Sequence, residues 1–223
     1  MQTIPLPPEE YMRLVCGDQP GLAQHFDELG QEVVERLRSH GLLKPGARLL
    51  DVGCGCGRIA RRLLDESQLA SYTGFDRHPG MIDWCQRHLT PLDDRFTFHC
   101  FEVESPYVVL DGHAGTIPIS EFRFPFDNGA FDGALLASVL THMPLDETAH
   151  YLGQLRRVLA PGGVALVTAF FASGDEPMAD AYNFYYRRQD FLDRVEGAGF
   201  GWTPLVNTRP GSVQNWFELV PGP

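Results

Sequence analysis

The sequence predicts an α/β fold, a doubly wound and mostly parallel sheet with helices on both faces. Short apolar runs alternate with amphipathic stretches from about residue 47 onward, joined by short links. One buried run also ends in glycines at every second position, Gly53, Gly55 and Gly57, directly ahead of a helical pattern. Repeated β-α units favour parallel pairing, because each crossover helix returns the chain to the same end of the sheet.

The first twenty or so residues are proline-rich and then irregular. Leu22, Phe26, Leu29, Val33, Val34 and Leu37 then recur at helical spacing, and Gly41 ends that run. Lys44-Pro45-Gly46 makes a turn into a short apolar strand, Ala47 to Val52. A helix follows from Arg58 to Glu66, a strand from Tyr72 to Phe75 and a helix from Met81 to His88. Phe96 to Val103 reads as a strand with aromatics at alternate positions. Residues 105 to 130 are weakly patterned, and Phe131 to Leu136 resumes the rhythm. Leu145 to Leu159 is a helix closed by Pro161-Gly162-Gly163, and Val164 to Phe171 is a buried strand. After an irregular insert come a helix, Gln189 to Gly197, and two strands near Trp202 to Val206 and Val213 to Val220.

With 43% hydrophobic and 21% charged residues, the 223-residue chain suits one compact domain. Residues 1–43 are expected to form an N-terminal helical cap or lid. Residues 44–223 form the core, with inserts near 105–125 and 173–188. A formal charge of −11 repels phosphate backbones, and no run of Lys or Arg marks a basic patch, so nucleic acid is not an expected partner. The stretch MQTIPLPPEEYMRLV has neither a basic n-region nor a long apolar run. No signal peptide or membrane span is therefore expected, and the cytoplasm is the expected location. The five scattered cysteines argue against a disulfide framework, and Cys54 and Cys56 lack a second ligand pair at zinc spacing.

The strongest signal is LLDVGCGCGRIARRLL, Leu49 to Leu64. Glycines are needed where the chain turns sharply and where a ligand must touch bare backbone. The loop also aims the free N–H groups of the helix N-terminus at the ligand. Dinucleotide binders want G-x-G-x-x-G, and Arg58 stands where the third glycine would be. Nicotinamide-dependent oxidoreduction stays as the alternative reading. Asp76 ends the next strand 19 residues after Gly57, where a carboxylate can accept both hydroxyls of a ribose.

Together, LLDVGCGCGR, the GFD tip, FDGALLASVLTHM and LRRVLAPGGVALVTAF resemble the class I S-adenosylmethionine-dependent methyltransferases, over about Lys44 to Phe171. The later SVLTHM and the IDWC after GFD resemble a bacterial subgroup of small-molecule methyltransferases. The resemblance implies a Rossmann-like, seven-stranded sheet with an antiparallel last strand, and S-adenosylmethionine as cofactor. It implies that Asp51 and the loop Gly53, Cys54, Gly55 and Gly57 hold the methionine part, with Arg58 beside them. It places Asp76 and Arg77 at the ribose and adenine edge, Glu102 (or Glu104 in the rival register) at the adenine amino group, and Ala137 and Ser138 beside the sulfonium. The longer chain between Glu102 and Phe-Pro-Phe-Asp departs from the simplest members and suggests an added lid or substrate wall.

Methyl transfer is an in-line displacement from a leaving group that needs no acid, so the protein must align the nucleophile and, for a hydroxyl, take its proton. His142, beyond the fourth strand's tip, is the best-placed base; its other reading is support of the cofactor pocket through a hydrogen bond. His25, His88, His113 and His150 are weaker candidates, with His88 and His150 read as exposed. Tyr11, Tyr182, Phe184, Tyr185 and Tyr186 form aromatic clusters that suit either a substrate wall or packing. No Asn/Asp-Pro-Pro-aromatic box follows strand four, and no metal trio is visible. The expected acceptor is a small molecule, of natural-product or sugar-intermediate type, methylated on oxygen or nitrogen by a monomer or homodimer. A non-catalytic cofactor-binding protein on the same fold is the remaining alternative.

Overall fold

The computed structural model describes residues 4–64, 68–174, 176–207 and 213–222. The chain divides into two compact units, Met1–Glu102 and Val103–Pro223. The end of the helix expected to reach Glu66, and Asp175 of the second insert, lie outside the described residues.

The first unit contains α1 (Glu9–Cys16), α2 (Leu22–Ser39), β1 (Arg48–Val52), α3 (Arg58–Leu64), β2 (Ser71–Asp76), α4 (Pro79–His88) and β3 (Phe96–Cys100). Its strands run parallel in the order β3-β2-β1. Leu49 and Leu50, on opposite faces of β1, are both fully buried, as a strand covered on two sides requires. The predicted α2 is confirmed, with Phe26, Val34 and Leu37 inside. Helix α1 corrects the expectation of an irregular start. Glu9 and Glu10 suit the positive end of its dipole, and Gly17, at φ 77°, ends it. At 8 residues it is too short for periodicity to show, and packing of Met12 with Leu22, Phe26, Cys56 and Met81 stabilises it instead.

Strand β3 stops at Cys100, short of the predicted Val103, which forms an isolated parallel bridge with Ile117. The second unit then adds α5 (Val108–Asp111), β4 (Phe131–Leu136), α6 (Leu145–Val158), β5 (Leu159–Phe171), β6 (Met178–Ala179), β7 (Phe184–Tyr186), α7 (Arg188–Gly197), β8 (Phe200–Leu205) and β9 (Asn215–Pro221). Strands β4 and β5 are parallel, whereas β9 is antiparallel to both β5 and β8. The expected antiparallel last strand is thus present. Pro161-Gly162-Gly163, expected to close α6, lies instead inside β5, which begins at Leu159 directly after the helix ends at Val158, and there interrupts the ladder. Between Phe131 and Gly133 of β4 the partner advances from Leu159 to Val164.

The insert expected to be irregular contains a hairpin, β6 with β7, and β7 joins the end of β5 in parallel through Phe170 beside Tyr185. His150, expected to be exposed, is half-buried, and its Nε2 lies 2.9 Å from the Phe122 carbonyl. His88 is exposed as read, stacked on Trp84.

Candidate functional site

In the first unit the site grows from the end of β1. Gly53, Gly55 and Gly57 have φ of 71°, 53° and 75°, a region that side-chain-bearing residues rarely enter. The three left-handed turns fold the loop back so that the Gly53 and Cys54 N–H groups both donate to the Phe75 carbonyl, at 2.8 and 3.0 Å. Gly55 and Gly57 each have a close neighbour. A Cβ on Gly57 would stand 2.6 Å from Leu89 Cδ1 and 3.1 Å from Cys85 Sγ, so this glycine lets α4 pack closely. A Cβ on Gly55 would meet Val15 Cγ1 at 3.1 Å, so α1 packs against the loop at that point.

Asp76 closes the loop from the tip of β2. Its Oδ2 accepts the Gly55 N–H at 2.9 Å and its Oδ1 accepts the His78 N–H at 2.9 Å. Burial raises its pKa above the ordinary carboxylate value, against the lowering effect of those two N–H donors. Each oxygen uses one of its two lone pairs on backbone, which leaves acceptor capacity for further hydroxyls. Arg77 follows, half-buried, and its charge also lowers the Asp76 pKa. His78 then caps α4, its Nδ1 accepting the Met81 N–H at 3.2 Å.

Asp51 is 1% exposed, and its Oδ2 accepts a 2.5 Å hydrogen bond from the Tyr72 hydroxyl. Burial pushes its pKa up to about 7, with the Tyr72 bond and the nearby Arg58 charge opposing. Arg58 itself reaches α1, donating through Nη1 to the Val15 carbonyl (3.2 Å) and to Cys16 Sγ (3.5 Å). Arg61 adds bonds to the carbonyls of Pro5 (2.6 Å) and Ile4 (3.1 Å) and to Asp27 (2.6 Å). Cys54 and Cys56 are buried between the glycines with thiol pKa values raised by burial, that of Cys56 to about 12, so they stay protonated. All five cysteines are free. Glu102, the residue chosen for the adenine edge, is exposed beyond the end of β3, and Glu104, its rival, is exposed after Val103.

In the second unit β4 ends at Leu136, followed by Ala137 and Ser138, both half-buried. Ser138 has φ 61°, the one positive φ outside glycine among the described residues. It is held there by its N–H donating to Thr168 Oγ1 at 2.7 Å and by Gln214 donating to its hydroxyl. Such strain persists only where surrounding bonds over-determine the backbone, and it gathers at functional sites. A single 3-10 turn, Leu140–His142, comes next. The Tyr186 hydroxyl pins it, bonding the carbonyls of Leu140 and Met143 (2.7 Å) and lying 2.8 Å from Thr148 Oγ1.

His142 is half-buried, with Nδ1 2.8 Å from the Tyr182 carbonyl. The Tyr107 ring meets it edge-on with centroids 4.5 Å apart, and Tyr182 packs at 5.4 Å from Tyr107. Burial lowers the His142 pKa below 6.5, against the raising effects of the Tyr182 carbonyl and Asp180. The imidazole is therefore neutral at pH 7. Tyr182 and Tyr186 from the predicted aromatic cluster both reach the His142 turn, whereas Tyr185 stacks on Phe170 and Tyr11 meets His78 in the first unit. His113 is exposed, and His25 lies half-buried on α2.

Sequence reasoning missed Tyr72, His78 and Tyr107. Tyr72 pairs with Leu49, two residues before Asp51, so strand register brings it diagonally to the carboxylate; the signal was there once parallel pairing was assumed. Tyr107 carried no such signal. Among the described residues no group of three or more His, Cys, Asp or Glu could hold a metal ion. Nor is any helix among them long and apolar enough to cross a membrane.

Comparison with known proteins agrees with this geometry. A family model described as a methyltransferase domain matches residues 50–167, more than half of the chain. A malonyl-(acyl-carrier protein) O-methyltransferase from Serratia marcescens is 27% identical over 194 residues, 86% of this chain and 62% of the relative. A demethylmenaquinone methyltransferase from Thermus thermophilus is 29% identical over 163 residues, covering 72% and 64%. A sterol 24-C-methyltransferase from Schizosaccharomyces pombe is 28% identical over 135 residues, covering 60% and 30%. The chain thus spans less than two thirds of each of these relatives.

Among solved structures, a magnesium protoporphyrin IX methyltransferase from Synechocystis with bound S-adenosylhomocysteine superposes with TM-score 0.64 at 17% identity, covering 96% of this chain and 94% of that one. The cyclase SpnF superposes with TM-score 0.62 at 21% identity, covering 90% and 82%. These likenesses show the Rossmann-like fold, which hosts more than one chemistry. The glycine loop after β1, the carboxylate ending β2 and the family match across residues 50–167 agree, and this chain belongs to the class I S-adenosylmethionine-dependent methyltransferases.

Proposed function

We propose that this chain transfers the methyl group of S-adenosylmethionine to an oxygen or nitrogen atom of a small-molecule acceptor, with His142 as the base that takes the acceptor's proton. The observation that carries the reading is the state of His142. It is neutral and half-buried against Tyr107 and Tyr182, and its Nδ1 is engaged by a carbonyl. That leaves Nε2 as the basic atom. Acceptors of natural-product or sugar-intermediate type are the first to screen.

The loop residues fit the cofactor. The left-handed loop of Gly53, Gly55 and Gly57, with Cys54 and the buried Asp51 beside it, is assigned to the methionine part. Asp76 retains lone pairs for ribose hydroxyls, and Arg77 and Glu102 are assigned to the adenine edge. In this assignment Arg58 acts by securing α1 to the loop. Ala137 and Ser138 are assigned, from the family resemblance, to the backbone that runs beside the sulfonium. S-adenosylmethionine, when bound, supplies an electrophilic methyl on a leaving group that needs no protonation. The chain's own residues then orient the acceptor and remove its proton.

The test is single-turnover methylation at saturating cofactor, once a metabolite screen supplies an acceptor. His142→Ala should slow the chemical step by roughly 10²–10⁴-fold while cofactor affinity stays near the parent value. The parent rate should fall only below pH 6.5, because burial holds the imidazole pKa under that value. A normal saturated rate in the alanine variant removes His142 as the base.

A further inference from the structure

The β6–β7 hairpin holds the His142 turn at two places. At its base, Tyr186 of β7 bonds the Leu140 and Met143 carbonyls. At its tip, the Tyr182 carbonyl lies 2.8 Å from His142 Nδ1. A carbonyl oxygen only accepts, so Nδ1 must carry the proton for this contact to be attractive. An unprotonated Nδ1 would set two lone pairs against each other at 2.8 Å. The neutral imidazole then has its remaining lone pair on Nε2 alone.

The tip is itself built by one side chain. Asp180 Oδ1 accepts the N–H groups of Tyr182 (3.0 Å) and Asn183 (2.8 Å), and its Oδ2 accepts Asn183 Nδ2 at 2.9 Å. The Asp180 N–H closes the turn on the Asn183 carbonyl at 3.0 Å. Once both N–H groups are drawn onto the carboxylate, the peptide planes on either side of Tyr182 are set, and with them the direction of its carbonyl.

We propose that Asp180 is a positioning residue for methyl transfer: through the Tyr182 carbonyl it holds His142 in the Nδ1–H tautomer, so that Nε2 is the basic atom. This rests on the reading of His142 as the base, and the experiment separates the two. Long-range proton–nitrogen NMR of ring-labelled His142 reports the tautomer in the full chain without acceptor or turnover. The parent protein should show Nδ1 protonated and Nε2 bare. Asp180→Ala should give a mixture with a large Nε2–H fraction. Asp180→Asn, whose Oδ1 can still accept both backbone N–H groups, should restore the parent spectrum.

A parent protein with Nε2–H at neutral pH overturns the inference, and that measurement depends on no variant folding. An unchanged tautomer in folded Asp180→Ala overturns the role of Asp180. If the tautomer behaves as expected but His142→Ala keeps a normal single-turnover rate, the base reading fails and methyl transfer needs no Asp180; the same hairpin then only orders the turn. Where both hold, Asp180→Ala should slow the saturated rate by at least several-fold with little change in cofactor affinity, and Asp180→Asn should recover it.

Discussion

Replacing Asp51 by Asn should alter how the protein's stability depends on pH, and the size of the effect follows from where the carboxyl sits. In the folded chain its pKa is about 7, chiefly because burial excludes water from a group that is 1% exposed. In the unfolded chain it titrates near the ordinary 3.8. Between those values the folded state keeps a proton that the unfolded state has lost, so stability falls as pH rises, by 1.36 kcal/mol per unit for one group. Over about three units this comes to roughly 4 kcal/mol, fully present below pH 4 and lost by about pH 7.

Asparagine cannot ionise, and its Oδ1 still accepts the Tyr72 hydroxyl. Its unpartnered amide N–H costs a similar amount at every pH. The difference in unfolding free energy, variant minus parent, should therefore climb by roughly 4 kcal/mol from pH 4 to pH 8 and level off above. Urea unfolding at half-unit pH steps measures it directly. A difference that stays flat within about 1 kcal/mol over that range would refute the argument that burial of Asp51 dominates its titration. A cofactor ammonium placed beside Asp51 favours the ionised form, so binding near pH 7 should release protons, which calorimetry in buffers of different ionisation enthalpy detects.

Gly57→Ala should destabilise the fold by roughly 2–5 kcal/mol, from a left-handed φ of 75° and a Cβ that presses on Leu89 at 2.6 Å; a smaller loss in urea unfolding would mean that α4 shifts freely. Asp76→Ala should weaken cofactor binding by about 1.5–3 kcal/mol, or roughly 10–100-fold, because it deletes the carboxylate and releases the Gly55 N–H it holds; one-site titration calorimetry reads this, and undiminished affinity sinks the ribose assignment. Tyr186→Phe removes the hydroxyl between two carbonyls and Thr148, so it should cost about 1–3 kcal/mol and loosen the His142 turn; hydrogen exchange at His142 and Met143 no faster than in the parent would count against that role.

Much of this molecule is legible in its residue order. The glycines at 53, 55 and 57 can hold φ between 53° and 75° where other residues strain, so their spacing reports the loop's backbone directly. An apolar run such as Leu49-Leu50 ahead of Asp51, or Ala165 to Val167 in β5, marks strands buried on both faces, since few other settings tolerate such runs. A carboxylate 19 residues past the loop, Asp76, follows from the length of one β-α-β unit; that it accepts the Gly55 N–H is seen only in the folded chain. Those features depend on local conformational cost and on periodicity, both of which act within a few residues.

What the tertiary structure decided are the partners. Helix α1 has too few residues to announce itself and exists through Met12 and Val15 packing on the glycine loop and α4. That burial raises the Asp51 pKa to about 7, against the lowering effect of the Tyr72 hydroxyl, follows only from how the strands pack around it. The insert after β5 shows no clear period because its hairpin contributes Tyr182 and Tyr186 singly to a turn far earlier in the chain, 40 residues from Tyr182 to His142 and 46 from Tyr186 to Leu140. A contact across that separation leaves no trace in local spacing, since its free energy is gained only after the chain has closed the intervening loop.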